Sequence, residues 1–149
     1  MTIRIVTGIA RRGERVLLVA SRYANHPAPL WTLPGGRQEP GELASETIVR
    51  EMQEETGLVA RIVEFAYVSE SYDGETHVVN LTFEIETDGE PHLPREHDHV
   101  AAAEWISIRE LERRMTVAVV REPLLAHLRG DSRRYFGFHD AGVTIQWLE

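Results

Sequence analysis

The sequence predicts a single mixed α/β domain. Short β-type segments lie on both sides of one strongly helical segment, turn residues separate them, and another helical segment lies near the end of the chain. At 149 residues the chain is long enough for one complete hydrophobic core, so we assign residues 1–149 to one domain. Hydrophobic residues make up 42% and charged residues 27%, as in an ordinary soluble globular protein.

The net charge of −8 limits the classes of partner. It argues against nucleic acid bound through a basic patch, and an acidic protein that handles phosphates needs a cation beside its ligand. The lack of cysteine excludes disulfides, thiolate metal ligands and a cysteine nucleophile. No apolar run approaches the roughly 20 residues that cross a membrane, and the N-terminus has no signal-peptide pattern. We expect a cytoplasmic monomer or homodimer without a membrane partner.

Two pairs of segments rich in Val, Ile, Leu and aromatic residues flank turn sequences and predict β-hairpins. The pairs are residues 2–10 with 15–21, around Gly13, and residues 60–71 with 76–86, around Asp73, Gly74 and Glu75. Between them, residues 22–30 contain two prolines and predict a loop. Residues 31–33 predict a short strand, and Pro34, Gly35 and Gly36 predict a turn.

The last third of the chain predicts further short elements. Residues 88–98 predict an exposed loop, and residues 101–106 a buried strand. Ser107 and Glu110 have capping-box spacing for a helix over residues 108–114. Pro123 stands near the start of a predicted helix over residues 124–128, which Gly130 ends. Residues 133–138 and 143–148 predict a final pair of strands around residues 140–142.

The central helix, predicted over residues 43–56 and ended by Gly57, has misplaced charges. At about 100° per residue, its apolar arc consists of Ala44, Ile48 and Met52, and Glu51 and Glu55 fall inside or beside that arc. Carboxylates turned toward the protein body are costly unless paired, and like charges four residues apart weaken a helix. A solvated acidic face does not explain this placement, whereas a divalent cation does.

The residues around this helix fit the pattern G-x5-E-x7-R-E-U-x-E-E-x-G-U, where U is a bulky aliphatic residue. The fixed positions span 23 consecutive residues, and Met52 and Leu58 fill the two U positions. They are Gly36, Glu42, Arg50, Glu51, Glu54, Glu55 and Gly57. This segment resembles the Nudix box, the signature of the Nudix hydrolase family. The resemblance implies an α/β/α sandwich with a mixed central sheet, in which the box forms a loop–helix–loop.

The resemblance also implies the reaction and its metal ligands. Hydrolysis of a phosphoanhydride needs a cation on the phosphate oxygens and an activated water. Glu51, Glu54 and Glu55 are then the ligands of Mg²⁺, with Mn²⁺ as a possible substitute, and Glu42 is an additional or water-mediated ligand. Arg50 can pair with Glu46 or Glu54, and the family uses this arginine to orient a box glutamate.

The substrate-binding residues are expected beside the double glycine. Gly35 and Gly36 let the backbone turn tightly next to the phosphates. Arg37 follows them and is the best arginine for a phosphate contact. Trp31, Tyr23 and Tyr72 are candidates to stack on a base, although packing explains each of them better.

Two positions outside the box resemble the nucleotide-sanitising, MutT-like members of the family. Glu104 corresponds to a glutamate that acts near the metals as ligand or base, with Glu96 and Asp98 as competitors and a plain surface role as the alternative. Arg121 stands where the sanitising enzymes have a base-binding asparagine. An arginine suits a guanine edge or a phosphate instead, so preference for oxidised purines is not expected. A plain exposed role explains Arg121 equally well.

The sequence thus predicts a hydrolase of a small nucleotide substrate, with a nucleoside or deoxynucleoside triphosphate first. ADP-ribose, nucleotide sugars and dinucleoside polyphosphates are the alternative substrates. A nucleotide-binding module without catalytic activity is the alternative function.

A cluster of histidines with one aspartate, His97, Asp98 and His99 with His92 nearby, resembles a set of metal ligands. Their place in a proline-containing polar stretch favours a solvated loop.

Overall fold

The computed structural model describes residues 2–93 and 99–139. The strands of this part form one mixed sheet: β1 (Thr2–Arg12), β2 (Arg15–Ser21), β3 (Leu30–Thr32), β4 (Gly35–Arg37), β5 (Arg61–Tyr72), β6 (His77–Glu86), β7 (Val100–Ser107) and β8 (Tyr135–Phe138). The helices are α1 (Ala44–Thr56), α2 (Leu111–Arg114), preceded by a 3-10 turn at Ile108–Glu110, and α3 (Ala118–Leu128). Within these ranges, no helix is both long and apolar enough to cross a bilayer.

Strand β1 lies at the centre of the sheet and determines its topology. It pairs in parallel with β6, from Thr2 opposite His77 to Ala10 opposite Ile85, and antiparallel with β4. Strands β5 and β6 form an antiparallel hairpin, and β8 adds to β5 in parallel. On the other side, β2 pairs antiparallel with β3 and β7. The sheet is therefore mixed, as the sequence predicts.

The first predicted hairpin is only partly right. Gly13 forms the turn, with a φ of 58°. However, β1 and β2 pair directly only at Arg11 with Val16 and at Arg12 with Arg15. The preceding part of β1, from Thr2 to Ala10, pairs with β6 instead. A strand buried on both faces, as β1 is from Ile5 to Ala10, belongs between other strands rather than in an isolated hairpin. The second predicted hairpin, β5 with β6, is confirmed.

Two hydrophobic clusters lie on the two faces of the sheet. One contains buried residues of α1 and of the sheet: Val6, Ala10, Leu17, Ile48, Met52, Leu58, Ala60 and Ile85. The other joins the sheet to α2 and α3: Ile9, Val16, Leu18, Leu33, Ala66, Tyr67, Ile106, Leu111, Met115, Leu124, Leu125 and Phe136. Consecutive residues of β2 alternate between the clusters, as side chains of a strand must. The result is the predicted helix–sheet–helix sandwich.

Several predicted elements differ from the structure. The turn predicted at Pro34, Gly35 and Gly36 is wrong in part, because Gly35 begins strand β4, which pairs with β1. Strand β7 exists, but among its residues only Val100 and Ile106 are buried, since it lies at the edge of the sheet. The remaining predicted strand and turn, residues 143–148 and 140–142, lie outside the described residues.

The helices near the end also differ. The predicted capping box is absent, because Ser107 makes no side-chain cap bond and Glu110 accepts a hydrogen bond from Arg113 at 2.5 Å. Helix α3 begins six residues before the predicted start, at Ala118, so Pro123 lies inside it. An internal proline costs a helix hydrogen bond. Burial of Pro123, Leu124 and Leu125 in the packed face compensates for that loss.

Candidate active site

Helix α1 forms where the sequence predicts it. The Leu43 backbone N–H donates to the Glu46 carboxylate at 2.8 Å, which satisfies one donor at the helix start. Gly57 ends the helix in the left-handed conformation, with a φ of 72°. A Cβ at Gly57 would collide with the His92 ring, and the His92 N–H donates to the Thr56 carbonyl at 2.9 Å. His92 is thereby fixed to the end of α1.

The glutamates of α1 are distributed between the interior and the surface. Ile48 and Met52 are fully buried, and Glu51 and Glu55 are only 9% and 3% exposed. Glu54 is much more open, with 45% of its side chain exposed. The periodicity argument therefore places Glu51 and Glu55 correctly, on the side of α1 that faces the protein.

Arg50 connects most of the predicted ligands. Its Nε and Nη2 donate to the two carboxylate oxygens of Glu42, at 2.7 and 3.0 Å. Its Nη1 donates to Glu51 at 2.9 Å and to Glu54 at 3.2 Å. Nη2 also donates to the Arg37 carbonyl at 3.1 Å. Of the two partners predicted for Arg50, the structure contains Glu54, whereas Glu46 bonds the helix start.

The ionisation of these carboxylates follows from their neighbours. The hydrogen bonds from Arg50, with that from the Glu39 N–H, lower the pKa of Glu42 to about 2. Burial raises the pKa of Glu51, and the charge of Arg50 opposes that rise. Burial, together with the charge of Glu51, raises the pKa of Glu55 well above its usual value. Glu51 and Glu55 are thus two neighbouring buried acids, and the positive charge of Arg50 stabilises the ionised form of Glu51.

The double glycine lies directly against these acids. The Gly35 N–H donates to Glu55 at 2.7 Å. A Cβ at Gly36 would lie 2.5 Å from the Glu51 carboxyl carbon, so only glycine leaves room for that carboxylate. Gly35 has a φ of 153°, and a Cβ there would overlap the Val6 carbonyl oxygen. Because Gly35 and Gly36 have no side chains, the backbone of β4 approaches the α1 carboxylates more closely than it could with any other residue type.

These groups suit a hard divalent cation. Carboxylate oxygens are the donors that Mg²⁺ and Mn²⁺ prefer, and the close-packed, buried acids need positive charge. Across residues 2–93 and 99–139, no three acidic or imidazole groups are arranged as a ready-made cage. Arg50 instead holds Glu42, Glu51 and Glu54 around its guanidinium group. The donor set fits the cation, and the arginine determines how the donors are arranged.

The structure places Glu104 differently from the box glutamates. Its neighbour Trp105 packs with the α1 cluster. Adjacent residues of a strand point to opposite faces, so Glu104 points away from the face that α1 covers. There it accepts a hydrogen bond from Arg114 at 3.3 Å, and the Arg114 guanidinium lies 4.7 Å from the centre of the Trp31 ring. The role of Glu104 stays a prediction, and its competitors Glu96 and Asp98 lie outside the described residues.

The other predicted binding residues are spread over several elements. Arg37 is exposed at the end of β4, beside the site. Arg121, in α3, donates to the Met115 carbonyl at 3.1 Å and pairs with Glu122. Tyr72 is exposed, and Tyr23 is buried. His92 packs on Gly57, while His97 belongs to the part of the chain that is not described.

Two further residues are linked to the site in ways that the sequence did not reveal: Tyr23, considered there only for stacking or packing, and Thr47. Burial raises the pKa of Tyr23 to about 12, a hydrogen bond with Thr32 opposes that rise, and the charge of Glu55 adds to it. Thr47 donates to Glu42 at 2.8 Å and supports the contact with Arg50. Tyr23 is 32 residues from Glu55 in sequence, so no local pattern could have linked the two.

The comparisons with known proteins agree with this arrangement. The sequence model of the NUDIX domain matches residues 1–128, and the chain belongs to this family. The solution structure of the Escherichia coli ORF135 protein superposes with a TM-score of 0.70, at 28% identity, over 87% of this chain and 91% of that one. The predicted family and fold are confirmed.

Two curated relatives have names that state a reaction. The ADP-ribose pyrophosphatase of Methanocaldococcus jannaschii is 35% identical over 86 residues, which cover 56% of this chain and 50% of that protein. The CTP pyrophosphohydrolase of Escherichia coli is 35% identical over 63 residues, which cover 42% of this chain and 47% of that protein. The chain thus spans about half the length of these relatives.

Proposed function

We propose that this protein is a Mg²⁺-dependent hydrolase that cleaves the phosphoanhydride bond of a nucleoside diphosphate linked to another group. The observation that carries the proposal is the burial of Glu51 and Glu55 against the glycine backbone of β4. Two neighbouring buried carboxylates destabilise the fold unless a cation binds them, and Arg50 forms an ion pair with Glu51 but not with Glu55. Mn²⁺ is the expected substitute for Mg²⁺ because it accepts the same oxygen donors.

The residues of the site have separate roles in this proposal. Glu51, Glu54 and Glu55 hold the metal, which when bound neutralises phosphate oxygens and lowers the pKa of water. Arg50 orients Glu51 and Glu54, and Glu42 fixes Arg50 from the loop before α1 and serves as an additional or water-mediated ligand. Gly35 and Gly36 admit the phosphates close to the backbone.

Outside the box, three residues complete the proposal. Arg37, exposed beside the double glycine, contacts a phosphate. Arg121 contacts the base or a phosphate. Glu104 takes the proton of the attacking water, and Glu96 and Asp98 are the alternatives for that role.

We propose a nucleoside or deoxynucleoside triphosphate as the first substrate to test. The relative named CTP pyrophosphohydrolase supports this class, and the relative named ADP-ribose pyrophosphatase supports ADP-ribose as the second. Both substrates contain a phosphoanhydride attached to a nucleoside. A binding module without catalysis would not need three carboxylates placed at one helix face, so hydrolysis is preferred.

The decisive experiment measures phosphate and pyrophosphate release from nucleotides, nucleotide sugars and dinucleotides with Mg²⁺ or Mn²⁺. Glu54→Gln removes a charged ligand without changing shape, so turnover should fall by about 100-fold or more while the melting temperature stays within a few degrees. The control is Glu46→Gln, on the same helix, whose side chain bonds the helix start. Turnover by Glu54→Gln close to that of the control would refute the metal assignment.

A further inference from the structure

A cavity lies on this protein apart from α1 and its carboxylates. It has a volume of about 420 Å³ and opens at the end of the β5–β6 hairpin, next to the edge strand β8. Its lining includes Glu70, Tyr72, His77, Tyr135 and Phe138. Pockets of this size hold small organic molecules. The lining also contains Gly137 and His139. Three of its rings, those of Tyr72, His77 and Tyr135, lie on the same side of the sheet as the Glu70 carboxylate, and this combination decides which class of molecule fits.

The sheet register brings these side chains together. Tyr72 is opposite His77 across β5 and β6, and Glu70 is opposite Gly137 across β5 and β8. Glu70 and Tyr72 are two residues apart in one strand, so both point to the same face of the sheet. The arrangement is therefore a property of three paired strands rather than of one loop.

Glu70 forms the charged floor of the cavity. One carboxylate oxygen accepts the Tyr135 hydroxyl at 2.7 Å, and the other lies 2.5 Å from His77 Nε2. These two hydrogen bonds lower the pKa of Glu70, which keeps it ionised at neutral pH. A carboxylate has about four lone-pair positions, so each oxygen retains capacity for a ligand.

The aromatic walls are held in place by their own contacts. The rings of Tyr72 and His77 meet edge to face, with centres 5.9 Å apart, and the Tyr72 hydroxyl donates to the Gly74 carbonyl at 3.1 Å. A Cβ at Gly137 would lie 2.8 Å from the Tyr135 hydroxyl oxygen, so glycine there gives the Tyr135 ring space to reach Glu70. Tyr72 and Tyr135 remain 47% and 57% exposed, which leaves ring surface open toward the cavity.

We propose that this cavity binds the ammonium head of a small organic cation. The negative faces of aromatic rings attract cations, and quaternary ammonium groups are recognised by such cages. The Glu70 carboxylate, which His77 and Tyr135 hold in position, adds negative charge at the base of the cage. The net charge of −8 favours the approach of cations to the molecule. The site contains none of the residues proposed for hydrolysis, so it is a separate ligand site.

The test uses the whole chain and two probes of the same shape. Choline carries the positive charge, and 3,3-dimethylbutan-1-ol is its neutral analogue. Binding is followed by NMR titration of backbone amides. We expect choline to bind in the millimolar range and to shift the amides of Tyr72 and Gly137, while the neutral analogue binds at least about fivefold more weakly, as loss of a cation–π contact implies.

Variants distinguish the cage from general attraction to an acidic protein. Glu70→Gln keeps the shape and removes the charge, and should weaken choline binding about tenfold. Tyr72→Leu should weaken it similarly, because it removes one ring. The matched control is Glu64→Gln, an exposed glutamate on the same strand, which should leave binding unchanged. Melting temperatures of all variants show that the fold is retained.

Three results would overturn the proposal: no amide shifts at the cavity, equal affinity for the two probes, or equal weakening by Glu70→Gln and Glu64→Gln. Nucleotide hydrolysis by Glu70→Gln should remain at the wild-type level, because Glu70 belongs to the cavity and not to α1. Failure of the hydrolase assignment would therefore leave this proposal intact.

Discussion

Arg50 and Glu42 form a two-point ion pair, with Nε 2.7 Å from one carboxylate oxygen and Nη2 3.0 Å from the other. The pair joins the loop before α1 to the middle of the helix. Planar two-point contacts of this kind are strong and fix the direction of both groups. Because the remaining guanidinium nitrogen holds Glu51 and Glu54, one arginine determines where the proposed ligands lie.

Arg50→Lys should lower activity even though the substitution keeps the positive charge. A lysine ammonium is a single charged point and cannot hold Glu42, Glu51 and Glu54 in one plane. We expect turnover to fall by about tenfold or more and the free energy of unfolding to fall by about 2 kcal/mol. Steady-state kinetics and urea unfolding measure the two effects. Arg61→Lys, an exposed arginine paired with Asp88, is the control and should change neither quantity.

Gly36→Ala should impair function with little effect on stability. The three atoms nearest to the added Cβ all belong to the Glu51 carboxylate, the movable end of a side chain, so we expect Glu51 to shift and the fold to survive. The loss of unfolding free energy should be smaller than the roughly 1–3 kcal/mol typical of overpacking. Gly35→Ala is the contrast, because its Cβ meets the backbone of β1 and should destabilise the fold. Equal melting temperatures for the two variants would contradict this distinction.

Glu104→Gln tests the role of the residue that points away from α1. If Glu104 accepts a proton from water, kcat should fall by about 100-fold or more while KM changes little. The control Glu112→Gln, on the neighbouring helix α2, should leave both constants unchanged. Unchanged kinetics in Glu104→Gln would move the role of base to Glu96 or Asp98.

Asp73→Asn should alter the pH dependence of stability. Hydrogen bonds from the backbone N–H groups of Thr76 and Glu75 lower the pKa of Asp73 below its usual value of 3.8. A lowered pKa in the folded state gives stability that is complete above the unfolded pKa and is lost as the pH falls through the folded pKa. The variant should therefore melt below the wild type at pH 7, and the difference should shrink below pH 4. A difference independent of pH would refute this linkage.

The sequence predicted α1 well because its signals are local. Helix periodicity, Gly57 and the spacing of the glutamates all lie within 23 residues, and the structure reproduces the burial of Glu51 and Glu55. Local signals failed where partners decide the structure. Gly35 and Gly36 look like a turn, yet they form β4 because β1 offers unpaired backbone at Ile5, Val6 and Thr7.

Helix α3, near the end of the chain, also differs from the prediction because of how its side chains pack. Pro123 favours a helix start, but α3 begins at Ala118, and Val120 in its first turns packs against the cluster that contains Leu124 and Leu125. The cavity around Glu70 had no signal in sequence, since Tyr72 and Tyr135 are 63 residues apart and meet only because β8 pairs with β5.

By itself, the sequence determined the set of carboxylates on α1, because these depend on residue types at fixed short spacings. Through the resemblance of that segment to the Nudix box, it also indicated the family and the sandwich fold. Only the tertiary structure decided which carboxylates Arg50 holds, which face of β7 presents Glu104, and that glycine at 36 leaves room for Glu51. Those relationships depend on strand pairing and on distances between residues far apart in the chain, and no spacing within one segment specifies them.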